Sequence, residues 1–177
     1  MRSNDSAKKI TRLAMLTALS VVLVYLIHFP IFPAAPFLEY DPADIPILIS
    51  GLMYGPGAGL IVTAAASIAQ GLTVSSGSGV IGILMHFLAT GSMVLVSSLL
   101  YKKTGKLLPA LGAGALTMVV AMCGCNLIFT PLFMGASLKD VAAMLIPVII
   151  PFNAIKAGIN CLAAGLIFKA LSAVVKD

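Results

Sequence analysis

The sequence predicts an all-α membrane protein with six transmembrane helices and both termini in the cytoplasm. The 177 residues are 60% hydrophobic and only 10% charged, with a mean hydropathy of +1.09, whereas soluble domains have about 45–50% apolar and about 25% charged residues. Long apolar stretches recur along the chain, and basic residues are grouped between them. A soluble domain is not expected, because a folded chain of this size leaves about a third of its unfolded surface exposed.

Apolar runs set the predicted helices, since about 20 mainly apolar residues cross the roughly 30 Å hydrocarbon core of a bilayer. Four runs are long enough by themselves. A fifth apolar region is divided by the sequence YGPGAG, where proline and glycine favour a turn, so the second helix is expected to be short or tilted. One integral membrane domain then covers residues 1–177, with helices at about 10–32, 44–54, 58–72, 80–101, 107–130 and 141–171.

The first apolar run follows basic residues, a pattern that secretory signals share. Its apolar stretch, residues 13–32, is longer than the 7–15 residues usual for the apolar core of a signal. The sequence that follows, PIFPAAPFLEYDPADIP, offers no clear small-residue cleavage site. We therefore expect a retained first helix.

Lysine and arginine positions predict the orientation, because these residues accumulate in short cytoplasmic segments. Six crossings place three basic groups on one side: Arg2, Lys8, Lys9 and Arg12; Lys102, Lys103 and Lys106; Lys169 and Lys176. The acidic residues of the first loop, Glu39, Asp41 and Asp44, then fall on the external side. The net charge of +5 is therefore explained by basic residues at the cytoplasmic ends of the predicted helices. Nucleic-acid binding is not indicated, since the basic residues flank helices and form no patch with stacking aromatics.

The sequence PFNAIKAGIN places a lysine and two asparagines inside an apolar segment. A lysine at mid-membrane costs about 2.5–3.5 kcal/mol on translocon-derived scales, so such residues usually face a cavity, a bundle interior or a partner. Asn153, Lys156 and Asn160 are three and four positions apart and share one helical face. Two prolines precede them and are expected to kink the helix. A cavity site is favoured over a lysine that snorkels outward from a helix beginning later.

Other polar residues of the predicted helices have two open interpretations. Asn126 is expected at the depth of Asn153, where its amide either contacts a ligand or holds helices together. His86 and Gln70 carry the same ambiguity, and a hydrogen-bonded packing role is favoured for His86. The three cysteines are expected to pack as small apolar groups. The sequence CGC lacks companion ligands, so no metal site is expected.

Ala14 and Ala18 form a small-xxx-small pattern in the first helix, which permits another helix to approach closely. A helix–helix contact is therefore expected at this face. The spacing leaves open whether the contact is internal or with another subunit.

Several segments resemble a known family, the membrane-embedded substrate-binding (S) components of energy-coupling-factor (ECF) vitamin transporters, of the riboflavin type. The resemblance covers most of the chain. Its most specific parts are FPIFPAAPFLEYDPADIPILISGLMYGPGAGLIV, GSGVIGILMHFLA, Asn126 with FTPLF, and PFNAIKAGI. The third helix has TAAASIAQGL where such members commonly carry a charged, amide-rich stretch, and His86 stands where asparagine is frequent. A related flavin or another small aromatic vitamin is therefore the alternative ligand.

The resemblance implies a pocket that captures riboflavin from outside a prokaryotic plasma membrane. By similarity, Asn126, Asn153 and Lys156 hydrogen-bond the polar edge of the isoalloxazine ring, because their amide and ammonium groups match its carbonyls and imide N–H. Three side chains of the first loop are expected to cover the ring: Phe37, Leu38 and Tyr40.

The resemblance also implies partners, namely a transmembrane coupling subunit that Ala14 and Ala18 contact, and two ATPase subunits. No GxxxxGK[ST] phosphate-binding loop is present in the sequence, so these partners are expected to supply the energy. Neither a cofactor nor an enzymatic activity is expected, riboflavin being the transported ligand. An intramembrane enzyme using Lys156 or His86 lacks an HExxH or GxSxG element. A structural subunit is a further class, in which substituting Lys156 impairs folding alone.

Overall fold

The computed structural model describes residues 2–33, 35–74 and 76–174, so Lys176 of the terminal basic group lies outside the described residues. This part of the chain forms six helices, the last of which is composite. They are α1 (Arg2–Leu26), α2 (Asp44–Tyr54), α3 (Pro56–Leu72), α4 (Gly79–Thr104), α5 (Leu107–Met134), and the composite of α6 (Leu138–Met144), a π-helical turn (Leu145–Ile149) and α7 (Ile150–Val174). The predicted all-α class is confirmed. Four of the six are long and apolar enough to cross a membrane, whereas α2 and α3 are shorter.

The first helix differs from its predicted range, because α1 ends at Leu26 and not near residue 32. Three prolines follow within ten residues; proline cannot donate a backbone hydrogen bond and disfavours helix in the residue before it. Residues 27–43, called the first loop below, instead cross the end of the bundle. Within the loop, Phe29–Pro30 pairs antiparallel with Glu39–Tyr40.

The chain turns sharply between α2 and α3. Gly55 has φ +92°, a conformation that L side chains rarely adopt, and Pro56 begins α3 at the helical position that proline tolerates best. The two helices then pack closely, since a Cβ added to Gly59 would lie 3.0 Å from the Cα of Gly51. This contact between backbones holds α2 against the rest of the bundle. It thereby also positions Asp44, which lies in the first turn of α2.

The core lies between α2, α4, α5 and α7, where Ile47, Leu48, Met93 and Val94 are almost completely buried. Large apolar side chains also cover the outside of the bundle; Leu132, Leu166 and Ile146 are more than two-thirds exposed. A soluble protein rarely exposes contiguous apolar surface on this scale. The outer surface is that of a protein surrounded by lipid.

The composite helix contains one widened turn. Pro147 lies inside the π-helical turn, and the N–H of Ile150 donates to the carbonyl of Leu145 in the i→i−5 pattern of a π-helix. A proline inside a regular α-helix removes a backbone bond and clashes with the preceding turn, so the wider turn accommodates it. Phe152 and Ile149 pack against Leu38 of the first loop just beyond, and the polar strip of α7 begins there.

Candidate functional site

Lys156 on α7 is buried beneath the first loop, with only 7% of its surface exposed. Its Nζ donates to Oδ2 of Asp41 at 2.6 Å, and Oδ1 of Asp41 accepts the backbone N–H of Ala43 at 3.0 Å. The lysine therefore faces the bundle interior and does not snorkel outward. A buried ammonium without a counterion costs several kcal/mol, and Asp41 supplies that counterion from a segment distant in sequence.

Asn160, one helical turn further along α7, joins the first loop to the bundle. Its Nδ2 donates to the backbone carbonyl of Asp41 and to Oδ2 of Asp44, both at 3.0 Å. Its Oδ1 accepts the hydroxyl of Tyr40 at 3.1 Å. Asp44 is completely buried and also accepts the hydroxyl of Thr90 on α4 at 2.7 Å. This polar cluster therefore ties the loop, α2, α4 and α7 together.

Tyr40 belongs to the attachment of the first loop. Burial raises the pKa of its phenol, and the neighbouring Asp41 carboxylate raises it further, so the hydroxyl stays protonated and donates to Asn160. The ring lies against Phe29 across the two-stranded ladder, with centroids 5.4 Å apart. The hydrogen bond attaches this pair of strands to α7, and the ring contact joins the two strands to each other.

His86 on α4 extends the polar cluster toward α3. Its Nδ1 lies 2.8 Å from the hydroxyl of Ser67, and because that hydroxyl donates to the carbonyl of Thr63, Nδ1–H is assigned as the donor. The Nε2 atom is 3.5 Å from Oδ1 of Asp44 but outside hydrogen-bonding geometry. The packing role favoured for His86 accounts for one ring nitrogen and leaves the other buried without a hydrogen bond, on a residue that lines a cavity.

That cavity, of about 160 Å³, lies directly under the first loop. Three buried polar atoms on residues of its wall have no hydrogen-bond partner among the described residues: Gln70 Oε1, His86 Nε2 and Asn153 Oδ1. Buried polar atoms are nearly always paired, and leaving one unpaired costs about 1–3 kcal/mol. Lys156 lines the same cavity, as do the apolar side chains of Phe37 and Leu38. The arrangement suits a ligand that combines an apolar body with a hydrogen-bonding edge.

A second cavity of about 160 Å³ lies beside the first and is lined by Asn126. The amide of Asn126 is already satisfied within α5: its Nδ2 donates to the carbonyl of Met122, and its Oδ1 accepts the hydroxyl of Thr130, both at 2.8 Å. The two cavities share five lining residues: Phe37, Leu38, Gly82, Met85 and Met122. Asn126 and Asn153 thus line adjoining cavities, but the side-chain oxygen of Asn126 already accepts a hydrogen bond whereas that of Asn153 accepts none.

The structure brings together most of the residues predicted for ligand contact. Phe37 and Leu38 line both cavities, and Asn153 and Lys156 line the first. Tyr40 is absent from the lining of either cavity in the described part of the chain and contacts Asn160 instead. Its predicted place over a ring therefore requires the loop to move.

Ala14 and Ala18 lie on an exposed face of α1. Leu13 and Leu16, on the other face, pack against the core. The bundle as described does not bury the alanine face, which leaves it free for a contact outside this chain.

Sequence reasoning missed Asp41, which it placed in an external loop without a partner. The signal was available, because a buried lysine needs a counterion and the acidic residues nearest to it in the predicted topology are those of the first loop. Gln70 was left undecided, since spacing does not reveal that its Oε1 is buried and unpaired.

Comparison with known proteins identifies the architecture. A family model for the substrate-specific component of ECF transporters matches residues 8–168. The chain belongs to this family.

Related proteins match it over most of their length. The riboflavin transporter FmnP of Bacillus subtilis is 33% identical over 91% of this chain and 90% of its own. The riboflavin transporter RibU of Streptococcus thermophilus is 31% identical over 96% and 85%, and RibU of Staphylococcus aureus is 31% identical over 96% and 93%. A solved structure described as the S component of a bacterial ECF transporter superposes with a TM-score of 0.80 at 27% identity, covering 97% of this chain and 99% of that one. The predicted family is confirmed, and the protein is a membrane component of a transporter.

Proposed function

We propose that this S component captures riboflavin in the cavity under the first loop, for ATP-driven uptake across the plasma membrane. The observation that carries the proposal is the set of three unpaired polar atoms on residues that line this cavity, beside the buried ammonium of Lys156 and the apolar side chains of Phe37 and Leu38. The names of the three relatives, which match over at least 85% of their length, support the same ligand.

The chemistry of the wall is complementary to a flavin ring. Oδ1 of Asn153 accepts from an imide N–H, and the ammonium of Lys156 has three donors, one of which is given to Asp41, so it also donates to a ring carbonyl. Phe37, Leu38 and Met85 supply apolar surface for the ring faces, and methionine sulfur contacts aromatic rings favourably. Asn126 extends the polar lining into the adjoining cavity.

The size of the cavities indicates how the ligand is accommodated. Each cavity is about 160 Å³, below the roughly 300–1,000 Å³ of typical small-molecule sites. The fused three-ring system of a flavin needs both. Since Phe37 and Leu38 line both cavities, displacement of this part of the first loop joins them and makes room for the ring.

The orientation and the partners complete the proposal. Lys106 and Lys169 line one cavity at the end of the bundle remote from the first loop, which supports cytoplasmic termini and an external first loop by the positive-inside rule. The exposed Ala14 and Ala18 are the proposed contact with a transmembrane coupling subunit. Two ATPase subunits supply the energy, and the S component itself has no catalytic role.

Flavin fluorescence tests the proposal directly. Riboflavin titrated into the purified protein in detergent is expected to show saturable quenching. Asn153→Ala and Lys156→Gln are each expected to weaken binding at least tenfold, because each removes a contact to the polar edge, about 1.4 kcal/mol or more. Lys139→Gln is the matched control, since Lys139 is an exposed lysine in the first turn of α6, on the external side in the proposed topology.

Folding of each variant is checked by the slow reaction of buried Cys161 with a maleimide. Unchanged affinity in a folded Asn153→Ala protein would remove this cavity as the flavin site. Absence of quenching by riboflavin and by its phosphate would move the assignment to another aromatic vitamin. A Lys156→Gln protein that unfolds, with Asn153→Ala binding normally, would favour a purely structural polar cluster.

A further inference from the structure

A groove between α5 and α7 lies at the basic end of the bundle, away from the first loop. Its mouth is a cavity of about 730 Å³ lined by the last turn of α4, the start of α5 and the end of α7. Lys106 and Lys169 both stand on its wall. The candidate flavin site shares no lining residue with this cavity.

An apolar channel continues from the mouth along the surface of the bundle. It has a volume of about 400 Å³ and shares Leu107, Leu108 and Lys169 with the mouth. Glycines form part of both walls, Gly112 on α5 and Gly158 on α7. The missing side chains leave a slot between the helices, closed along its base by Leu111 and Cys161.

The length of the channel matches one leaflet of a bilayer. Gly158 and Lys169 are eleven residues apart on α7, which corresponds to about 16 Å at about 1.5 Å per residue. Half of a hydrocarbon core of roughly 30 Å is about 15 Å. A slot of about 400 Å³ over this length is narrow beside a helix about 10 Å across, so it suits a single hydrocarbon chain.

The mouth carries uncompensated positive charge. Both lysines are exposed, and neither forms an ion pair with any residue that the structure describes. The first turn of α5 meets the ends of α4 and α7 at this mouth, so the helix dipoles oppose one another there and the positive charge comes from the two ammonium groups. An anionic group is attracted to this position, and basic pockets between transmembrane helices bind phospholipid head groups.

We propose that the groove is a binding site for an anionic phospholipid. The phosphate is held by Lys106 and Lys169 at the mouth, and one acyl chain lies in the channel between Gly112 and Gly158. The site depends on the membrane location of the protein and is independent of the flavin assignment.

Native mass spectrometry of the whole chain in detergent tests the proposal. Phosphatidylglycerol and phosphatidylcholine with identical acyl chains are added at equal concentration, and phosphatidylglycerol adducts are expected to be at least fivefold more abundant. Lys106→Gln with Lys169→Gln is expected to abolish the preference. Lys102→Gln with Lys103→Gln removes the same charge from the same end but outside the mouth, and is expected to retain it.

A second pair of variants tests the channel. Gly158→Leu is expected to reduce binding of both lipids, because its added side chain enters space with no heavy atom within 4 Å of the new Cβ. Gly124→Leu enters equally open space outside the channel and is the control. If Gly158→Leu does not fold, Gly112→Leu fills the channel from the facing helix, where the Cβ position is also open.

The proposal is overturned if the two lipids bind equally, or if the Lys102/Lys103 variant loses the preference as completely as the Lys106/Lys169 variant. It is also overturned if filling the channel leaves lipid binding unchanged, or if millimolar inorganic phosphate displaces phosphatidylglycerol, since the site would then take the free anion alone. Riboflavin quenching in the same variants reports separately on the flavin site.

Discussion

Lys156 and Lys169 lie on the same helix, thirteen residues apart, and have opposite environments. Lys156 is buried, and its ammonium is 2.6 Å from a carboxylate that the first loop supplies. Lys169 is exposed at the mouth of a groove, where the described residues offer it no carboxylate partner. A charge in the interior must be matched by the same chain, whereas a charge at the membrane surface is matched by water, salt or lipid. Lysine thus forms an internal ion pair at position 156, whereas at position 169 it is available to water, salt or lipid.

Removing the counterion of Lys156 is expected to have the largest effect on stability. Asp41→Ala leaves a buried ammonium unpaired and is expected to cost about 3–5 kcal/mol, which lowers the unfolding midpoint by roughly 6–20 °C at about 2–4 °C per kcal/mol. Thermal unfolding in detergent, followed by labelling of buried Cys161 with a fluorogenic maleimide, measures this change.

Glu39→Ala is the control for that variant, because Glu39 is an exposed acidic residue of the same loop. The double substitution Asp41→Leu with Lys156→Met is expected to recover most of the loss, since replacing both charges leaves neither unpaired. Equal midpoints for Asp41→Ala and Glu39→Ala would show that Lys156 reaches water.

An intermediate effect on stability is expected when Asn160, the uncharged residue that joins the polar cluster, is replaced. Asn160→Leu removes the hydrogen bonds to Asp44, to the carbonyl of Asp41 and from Tyr40, and is expected to cost about 1–3 kcal/mol. Tyr40→Phe removes one of the three and is expected to cost about 1 kcal/mol. The same maleimide assay ranks the two variants, and a larger loss in Tyr40→Phe would contradict the assigned geometry.

The smallest effect is expected at the exposed lysine. Lys169→Gln removes a charge that the bundle does not pair, so the free energy of unfolding is expected to change by less than about 0.5 kcal/mol. A loss comparable to that of Asp41→Ala, measured by the same assay, would mean that Lys169 is structurally paired. The contrast between the two lysines would then disappear.

Hydropathy predicted the number and type of helices but not the end of the first one. Residues 27–32 are as apolar as the helix before them, yet Ile31 and Phe32 pack against the cluster that contains Val141 and Ile149. Apolar residues buried by a loop and apolar residues facing lipid contribute equally to a hydropathy sum. Proline spacing was the additional signal that separates the two.

Helical spacing predicted one face of the candidate site and no contact across it. Asn153, Lys156 and Asn160 do share a face of α7 and line or support the cavity. Asp41 is 115 residues away from Lys156 in sequence, and local periodicity contains no information about such a pair. The rule that a buried charge needs a partner does not depend on sequence distance. It restricts the possible counterions of Lys156 to a few acidic residues.

The π-helical turn at Leu145–Ile149 sets the rotational phase of everything after it on the composite helix. Each residue of an α-helix advances the side-chain direction by about 100°, so one residue more or fewer in this turn would swing the polar strip of α7 sideways. Lys156 would then leave Asp41 and point toward lipid or toward the packed core. The number of residues in this turn therefore matters to the site as much as the identity of Asn153, Lys156 and Asn160, although none of the turn's own side chains is polar.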